Sequence, residues 1–449
     1  MKMKNLLLII STGLLFVVGS VSLKAQQTTL SLPEALEMAK KGNKQIQAQA
    51  LEEIYTAEQT RETRNGYLPN ISAGASYIRY LDRQVIFLPG SFAGTNNAVE
   101  AVSVGGKNAL SGFVSLYQPI IDPSIHRQLS VNKISEEIEK EKTIELQRKI
   151  AYKVASLYLN MLLMNEQTDL LDQSFQRNVR ALKDTRLLFL QGKAIKADTL
   201  SNFIAVENIR SAVSYLKNNI EVSELELKRL IGMEKEERIA LTDKLEFDLA
   251  TERSAFSSLD EALKIAAENR KDLNIQQLVI NLQQKKTEAT RAGLMPRLSL
   301  IGQYQIQAQE DDFRLDTWPR TSFVGLQFSV PIFDGNRTRS RTTQAKIKTD
   351  QEAIRLNDLK DEVKTQLAGI LSKWEEALRQ LDIQQTTVAS AELSHRMMED
   401  RFKNGRSSRL ELTDAELALT QAKISYLQAV YNLKVLDVEL KNALGLLEL

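Results

Sequence analysis

Three carboxylates stand close behind glycine turns in this sequence: Asp198 follows Gly192, and Glu411 and Asp414 follow Gly405. Side chains of this kind at this distance from a turn cap the exposed N–H groups at a helix start. Nothing else in the sequence offers stronger chemistry. There is no cysteine, which removes disulfides, thiolate catalysis and thiolate metal sites. The two histidines, His126 and His395, are isolated and read as solvated or partly packed residues, and Trp374 reads as a packing residue within a long helix. No nucleophile elbow, phosphate loop or zinc-ligand spacing occurs, so the expectation is a non-enzyme with no cofactor and no metal.

The chain has 449 residues and a formal net charge of +2, from 59 basic against 57 acidic residues. That balance excludes an electrostatic preference for nucleic acid. Residues 1–25 read as a secretory signal: Lys2 and Lys4 precede an apolar run, and small residues lead to Ala25. No later stretch approaches the roughly 20 apolar residues of a membrane-spanning helix.

The elements that carry the carboxylates are written twice. The segment from Leu32 to Ser72 aligns without gaps to that from Leu259 to Ser299, with about 14 of about 41 positions identical. Gly66 and Pro69 match Gly293 and Pro296. Pro119-Ile120-Ile121-Asp122 matches Pro331-Ile332-Phe333-Asp334, Phe189 and Gly192 match Phe402 and Gly405, and Gly232 matches Gly445. The expected organisation is repeat one over 30–232, a linker over 233–257 and repeat two over 258–449.

Each repeat reads as a helix, two strands around a loop, then long helices. The first helices are expected over 33–64 and 260–291. The strands are expected near 71–87, 110–119, 297–309 and 321–331. Leu298, Leu300, Gly302, Tyr304, Ile306 and Ala308 alternate with Ser299, Ile301, Gln303, Gln305, Gln307 and Gln309. Alternation over about ten residues fits transmembrane barrel strands and equally a two-layer soluble sheet. Tyr77, Tyr80, Phe87, Phe313, Trp318 and Phe323 are expected at the loop-facing strand ends, as an aromatic girdle in the first case or as core in the second. Residues 124–191 contain neither Gly nor Pro, and 336–404 contain only Gly369. Continuous helices of that length would reach on the order of 100 Å, with apolar spacing suited to side-by-side coiled-coil packing.

Four strands cannot close a membrane barrel, because an open edge in lipid leaves backbone groups unpaired. Three copies would supply twelve. With the tandem repeat, the Gly-x-x-Pro after each first helix, the Pro-Ile after each second strand and the block from Phe402 to Ala415, the sequence resembles the TolC-type outer membrane efflux family (outer membrane factors). The resemblance implies a mainly α fold with a transmembrane β-barrel portion. The assembly would be a homotrimeric channel-tunnel of four strands per protomer, with coiled-coil helices in the periplasm. It implies an exit duct for efflux or type I secretion, set in outer membrane lipid. The partners would be a periplasmic adaptor and an inner-membrane pump of RND or ABC type. Residues 232–257 would join a belt around the tunnel.

Carried over position by position, Glu411 and Asp414 fall where the family rings its closed aperture with acid. Three copies on one axis would select against anions. Asp198 falls at the family's latch carboxylate. Its aromatic partner position holds Phe402, without a hydroxyl, and the usual arginine position holds Ser407, with Arg406 and Arg409 nearby. Gly192 and Gly405 match the turns against which adaptor tips pack. Two other readings remain open: a non-conducting coiled-coil envelope scaffold or adhesin, and a secreted hydrolase, for which no catalytic set appears.

Overall fold

A computed structural model describes residues 27–92, 94–234, 238–247, 258–314 and 316–449. The expected signal segment and much of the expected linker lie outside these residues. The chain starts with strand β1 (Gln27–Leu30) and helices α1 (Leu32–Gly42) and α2 (Lys44–Asn65). Strands β2 (Asn70–Arg79), β3 (Gln84–Leu88), β4 (Glu100–Val104) and β5 (Asn108–Ile121) follow. Helices α3 (Pro123–Leu190) and α4 (Lys196–Ile231) lead to a short strand β6 (Arg238–Leu241). The order then recurs: α5 (Leu259–Asn269), α6 (Lys271–Ala292), β7 (Arg297–Glu310), β8 (Arg320–Ser329), α7 (Arg337–Lys403) and α8 (Arg409–Ala443). Helix lengths match between the halves: 11 and 11, 22 and 22, 68 and 67, 36 and 35 residues.

Two sequence expectations need correction. The single first helix of each half is broken into two. Asn43 (φ −68°, ψ 121°) and Arg270 (φ −68°, ψ 122°) leave the helical region at equivalent places. The reason is tertiary. Gly42 sits so close to the end of α4 that a Cβ there would stand 2.4 Å from the Ile231 carbonyl oxygen. In the second half, a Cβ on Gly445, just beyond α8, would stand 2.8 Å from the Asn269 backbone. Each break therefore seats on a helix end from elsewhere in its own half. The second correction is the strand expected over 71–87. It ends at Arg79, and Gln84–Leu88 pairs with Glu100–Val104 in a separate hairpin.

The main sheet is antiparallel with order β2-β5-β7-β8, so β2 and β8 are its open edges. β1 and β6 form a separate parallel pair. Around the midpoint of α3, Ile150, Val154, Tyr158, Met161 and Leu162 are buried against α1, the end of α4 and Val430 and Leu433 of α8. The Tyr158 hydroxyl lies 2.9 Å from the Leu30 carbonyl and 2.8 Å from Asp243, sharing its proton between two acceptors. Burial pushes this phenol's pKa up, and the neighbouring Asp243 carboxylate adds to the effect. The contact ties the β1–β6 pair to the longest helix. Trp374 is buried and meets Phe247 edge-on at 6.3 Å, the packing role expected of it. No helix among the described residues is long and apolar enough to cross a membrane.

Candidate functional site

Strand register assigns every residue of the main sheet to one of two faces, because residues opposite each other share a face. One face carries Ile71, Ala73 and Ala75 of β2, Val114 and Leu116 of β5, Leu300, Tyr304 and Ile306 of β7, and Val324, Leu326 and Phe328 of β8. Val324, Leu326 and Phe328 are exposed at 76, 66 and 68%. A soluble sheet would bury such a face, whereas lipid would cover it.

The other face carries serine and glutamine, with Phe113, Tyr117 and Ile301 among them, and is the more polar of the two. Ser72 bonds Ser115 at 2.7 Å and Ser76 bonds Ser111 at 2.8 Å across β2 and β5. Gln303 donates to Gln305 at 2.9 Å, and Gln305 to Gln307 at 3.3 Å, along β7. From Ser299 to Gln309 this face of β7 has no charged side chain. Phe323 stands opposite Gln303 and so lies on the polar face, which corrects its assignment to a lipid girdle. Tyr77 is on the apolar face opposite Leu110, at the strand end, with its ring 5.5 Å from Phe313.

All long helices leave the sheet at the same end, since β5 runs into α3 and β8 leads into α7. They turn back at Gly192 and Gly405, which have φ of 71° and 67°. Both turns close with the same bond, 2.8 Å from Lys193 N–H to the Leu188 carbonyl and 2.8 Å from Arg406 N–H to the Arg401 carbonyl. A Cβ on either glycine would meet nothing within 4 Å, so both turns present open surface.

The candidate carboxylates sit just beyond these turns, and two of them, Glu411 and Asp198, are engaged in their own helix starts. Glu411 forms a capping box: it accepts from Ser408 N–H at 2.9 Å, and its own N–H donates to Ser408 Oγ at 3.2 Å. Asp198 accepts from Ile195 N–H at 3.2 Å. Asp414 is exposed one turn along α8. The latch candidates are not brought together within one chain. Phe402 lies 5.4 Å beneath the Arg409 guanidinium, and Ser407 donates to the Met398 carbonyl at 3.4 Å. Among the described residues no hydrogen bond or ion pair joins Asp198 to either.

A cluster that sequence reasoning missed lies above the tip, where α3, α7 and α8 meet. Glu416 is 8% exposed, with His395 at 4.0 Å and one oxygen lacking a hydrogen-bond partner. Arg177 reaches over from α3 to Thr420 at 3.4 Å. A small cavity of about 90 Å³ separates these groups. His395 is therefore partly buried beside a carboxylate, whereas His126 is exposed as expected. Only the three-helix contact shows this; His395 and Glu416 are too far apart in sequence for any spacing rule.

An antiparallel sheet with one lipid-suited face and two open edges, continued by helix pairs about 100 Å long, defines a membrane channel-tunnel protomer. The comparisons with known proteins agree. Residues 262–446 match the family model described as outer membrane efflux protein. The chain is 22% identical over 431 residues to outer membrane protein TolC of Escherichia coli (strain K12), covering 93% of this chain and 82% of that one. It is 22% identical over 442 residues to proteases secretion protein PrtF of Dickeya chrysanthemi, covering 94% and 90%. The Campylobacter jejuni CmeC outer membrane channel superposes with a TM-score of 0.74 at 17% identity, covering 93% and 86%. Together these matches make the chain similar to TolC-type outer membrane efflux proteins over most of its length, with the family model itself matched over residues 262–446.

Proposed function

We propose that three copies of this chain form the outer membrane exit duct of an efflux or type I secretion system. β2 of one copy would pair with β8 of the next, giving twelve strands and no free edge. The observation that carries this reading is the main sheet itself: mainly apolar on one face, richer in serine and glutamine on the other, unpaired at both edges. The helix pairs would continue the wall as a periplasmic tunnel. The duct has no catalytic step. It is a passive path, coupled through a periplasmic adaptor at the Gly192 and Gly405 turns to an inner-membrane pump.

The tip would be the narrowest charged point. Asp414 is exposed, whereas the Glu411 carboxylate is held in its own capping box. Asp414 therefore supplies most of a three-fold acidic ring, with Glu411 contributing mainly by fixing the helix start. The latch positions Asp198, Phe402 and Ser407 would hold the tip shut only through contacts between copies.

The test is planar-bilayer conductance of the purified mature protein beside the Glu411→Ala, Asp414→Ala double variant. The expected result is a low, cation-selective conductance that rises and loses selectivity in the variant. Conductance unaltered by the substitutions would remove the aperture assignment and keep the duct. A folded preparation that never inserts would favour the envelope scaffold.

A further inference from the structure

The β3–β4 hairpin belongs to no part of the duct wall described so far. It lies at the end of the main sheet opposite the helices, between β2 and β5. Its root is fixed. Arg83 pairs with Asp311 of the β7–β8 loop, Lys107 N–H donates to the Asp311 carboxylate at 3.2 Å, and Asn108 donates to the Asp311 carbonyl at 2.7 Å. Asn108 is itself buried and accepts from the Tyr77 hydroxyl at 2.8 Å.

The direction of the root is also fixed. At Gly105 (φ 74°) the chain leaves the line of β5, and a Cβ there would stand 2.6 Å from the Gln309 side-chain amide. Gln309 donates to the Gly106 carbonyl at 3.0 Å, and Gly106 lies directly on the Glu310 backbone. Gln309 shares its face of β7 with Gln303, Gln305 and Gln307. The hairpin therefore crosses the end of β7 on the polar face, not on the face suited to lipid. Apolar side chains on it and at its root are exposed: Phe87 and Phe92 are 72 and 81% exposed, and Leu81, just before β3, is 88% exposed.

We propose that the β3–β4 hairpins of three copies meet one another over the mouth of the duct, as an apolar constriction at the end opposite the acidic helix tip. This rests on the three-copy reading above. In a closed barrel the polar faces of all copies enclose one lumen, so hairpins rooted on those faces converge on the same axis. Lipid touches only the opposite face. The occupant that fits Leu81, Phe87 and Phe92 is therefore the same surface of a second copy. The duct then has two barriers in series that differ in kind, one charged at the tip and one apolar at the mouth, which excludes water-borne ions by dewetting.

The absence of cysteine makes the test direct. Single substitutions Phe87→Cys and Phe92→Cys are compared with Val324→Cys on the apolar face, each in the purified assembled protein treated with a short bifunctional maleimide. Cross-linked dimers with either hairpin variant and none with Val324→Cys are expected. A chain lacking Gln84–Val104 should conduct at least about twofold more than the full chain. An assembled, conducting trimer in which neither hairpin variant cross-links and the shortened chain conducts as before would overturn the mouth constriction alone. Failure to find any trimer would overturn it together with the duct.

Discussion

Four glycines at the ends of the long helices have almost the same backbone, and the structure treats two of them unlike the other two. Gly192 and Gly405, at the turns, have φ of 71° and 67°; Gly232 and Gly445, at the far ends of the returning helices, have φ of 74° and 75°. At the turns a Cβ would meet nothing. At the far ends it would strike backbone, 2.4 Å from the Gly42 carbonyl oxygen for Gly232 and 2.8 Å from Asn269 for Gly445. The same conformation serves two purposes. The far ends lock each half of the chain onto its own first helix, and the turns leave surface for something outside the chain.

Substitution should separate these purposes sharply. Gly232→Ala and Gly445→Ala combine an unfavourable φ with a backbone collision, and each should cost more than about 4 kcal/mol, measured by unfolding in denaturant. Gly192→Ala and Gly405→Ala should cost only about 1–2 kcal/mol each. If the turns dock an adaptor, a bulkier Gly405→Trp should abolish adaptor binding while the protein still folds and inserts. Equal loss of stability at all four positions would erase the distinction.

The locked corners also show how one backbone demand is met by different side chains. Asn43 donates to the Leu230 carbonyl at 2.8 Å and accepts from Gln45 N–H at 2.9 Å. At the equivalent corner Arg270 donates to the Ala443 carbonyl at 2.9 Å and pairs with Asp272 at 2.6 Å. Both replacements by alanine leave a buried helix end short of a donor, at about 2–3 kcal/mol each. Only the second corner should respond to acid. Burial pushes the Asp272 carboxyl up, but the Arg270 guanidinium and the Leu273 N–H outweigh burial and hold it below the ordinary carboxylate range. A depressed folded pKa stabilises above the unfolded value and loses that contribution as pH falls through the folded one. Stability should therefore drop below about pH 4 by less in Arg270→Ala than in the parent, and by the parent amount in Asn43→Ala.

How much of this was legible in the sequence follows from the range of the interactions. The strand alternation in Leu298–Gln309 and the glycine turns are local patterns, and they located the sheet and the tip. The helix breaks at Asn43 and Arg270 were hidden because they arise from close contact with Ile231 and Asn269's neighbour Gly445, far along the chain. Phe323 was misplaced because its face is decided by register with Gln303, not by its nearness to a strand end. The Glu416–His395–Arg177 cluster joins three helices and leaves no spacing signal in any of them.

The smallest effect is expected at the turns, where the two halves differ in the residue that caps the returning helix. Ser408 starts α8 with a capping box, and its equivalent at the start of α4 is Ile195, whose side chain cannot accept a hydrogen bond. Ile195 is 65% exposed, so it gains nothing from packing within the chain. Ile195→Ser should therefore stabilise α4 by about 0.5–1 kcal/mol, since Asp198 already stands where the acidic partner of a capping box belongs. A stabilising substitution that nature has left unmade at one turn and made at the other needs a reason, and an apolar contact to a docking partner supplies one. The decisive measurement pairs thermal unfolding with adaptor binding. Higher stability with weaker binding would assign Ile195 to the docking surface and make the first turn the apolar half of that contact. Higher stability with unaltered binding would leave Gly405 and its neighbours as the side that docks.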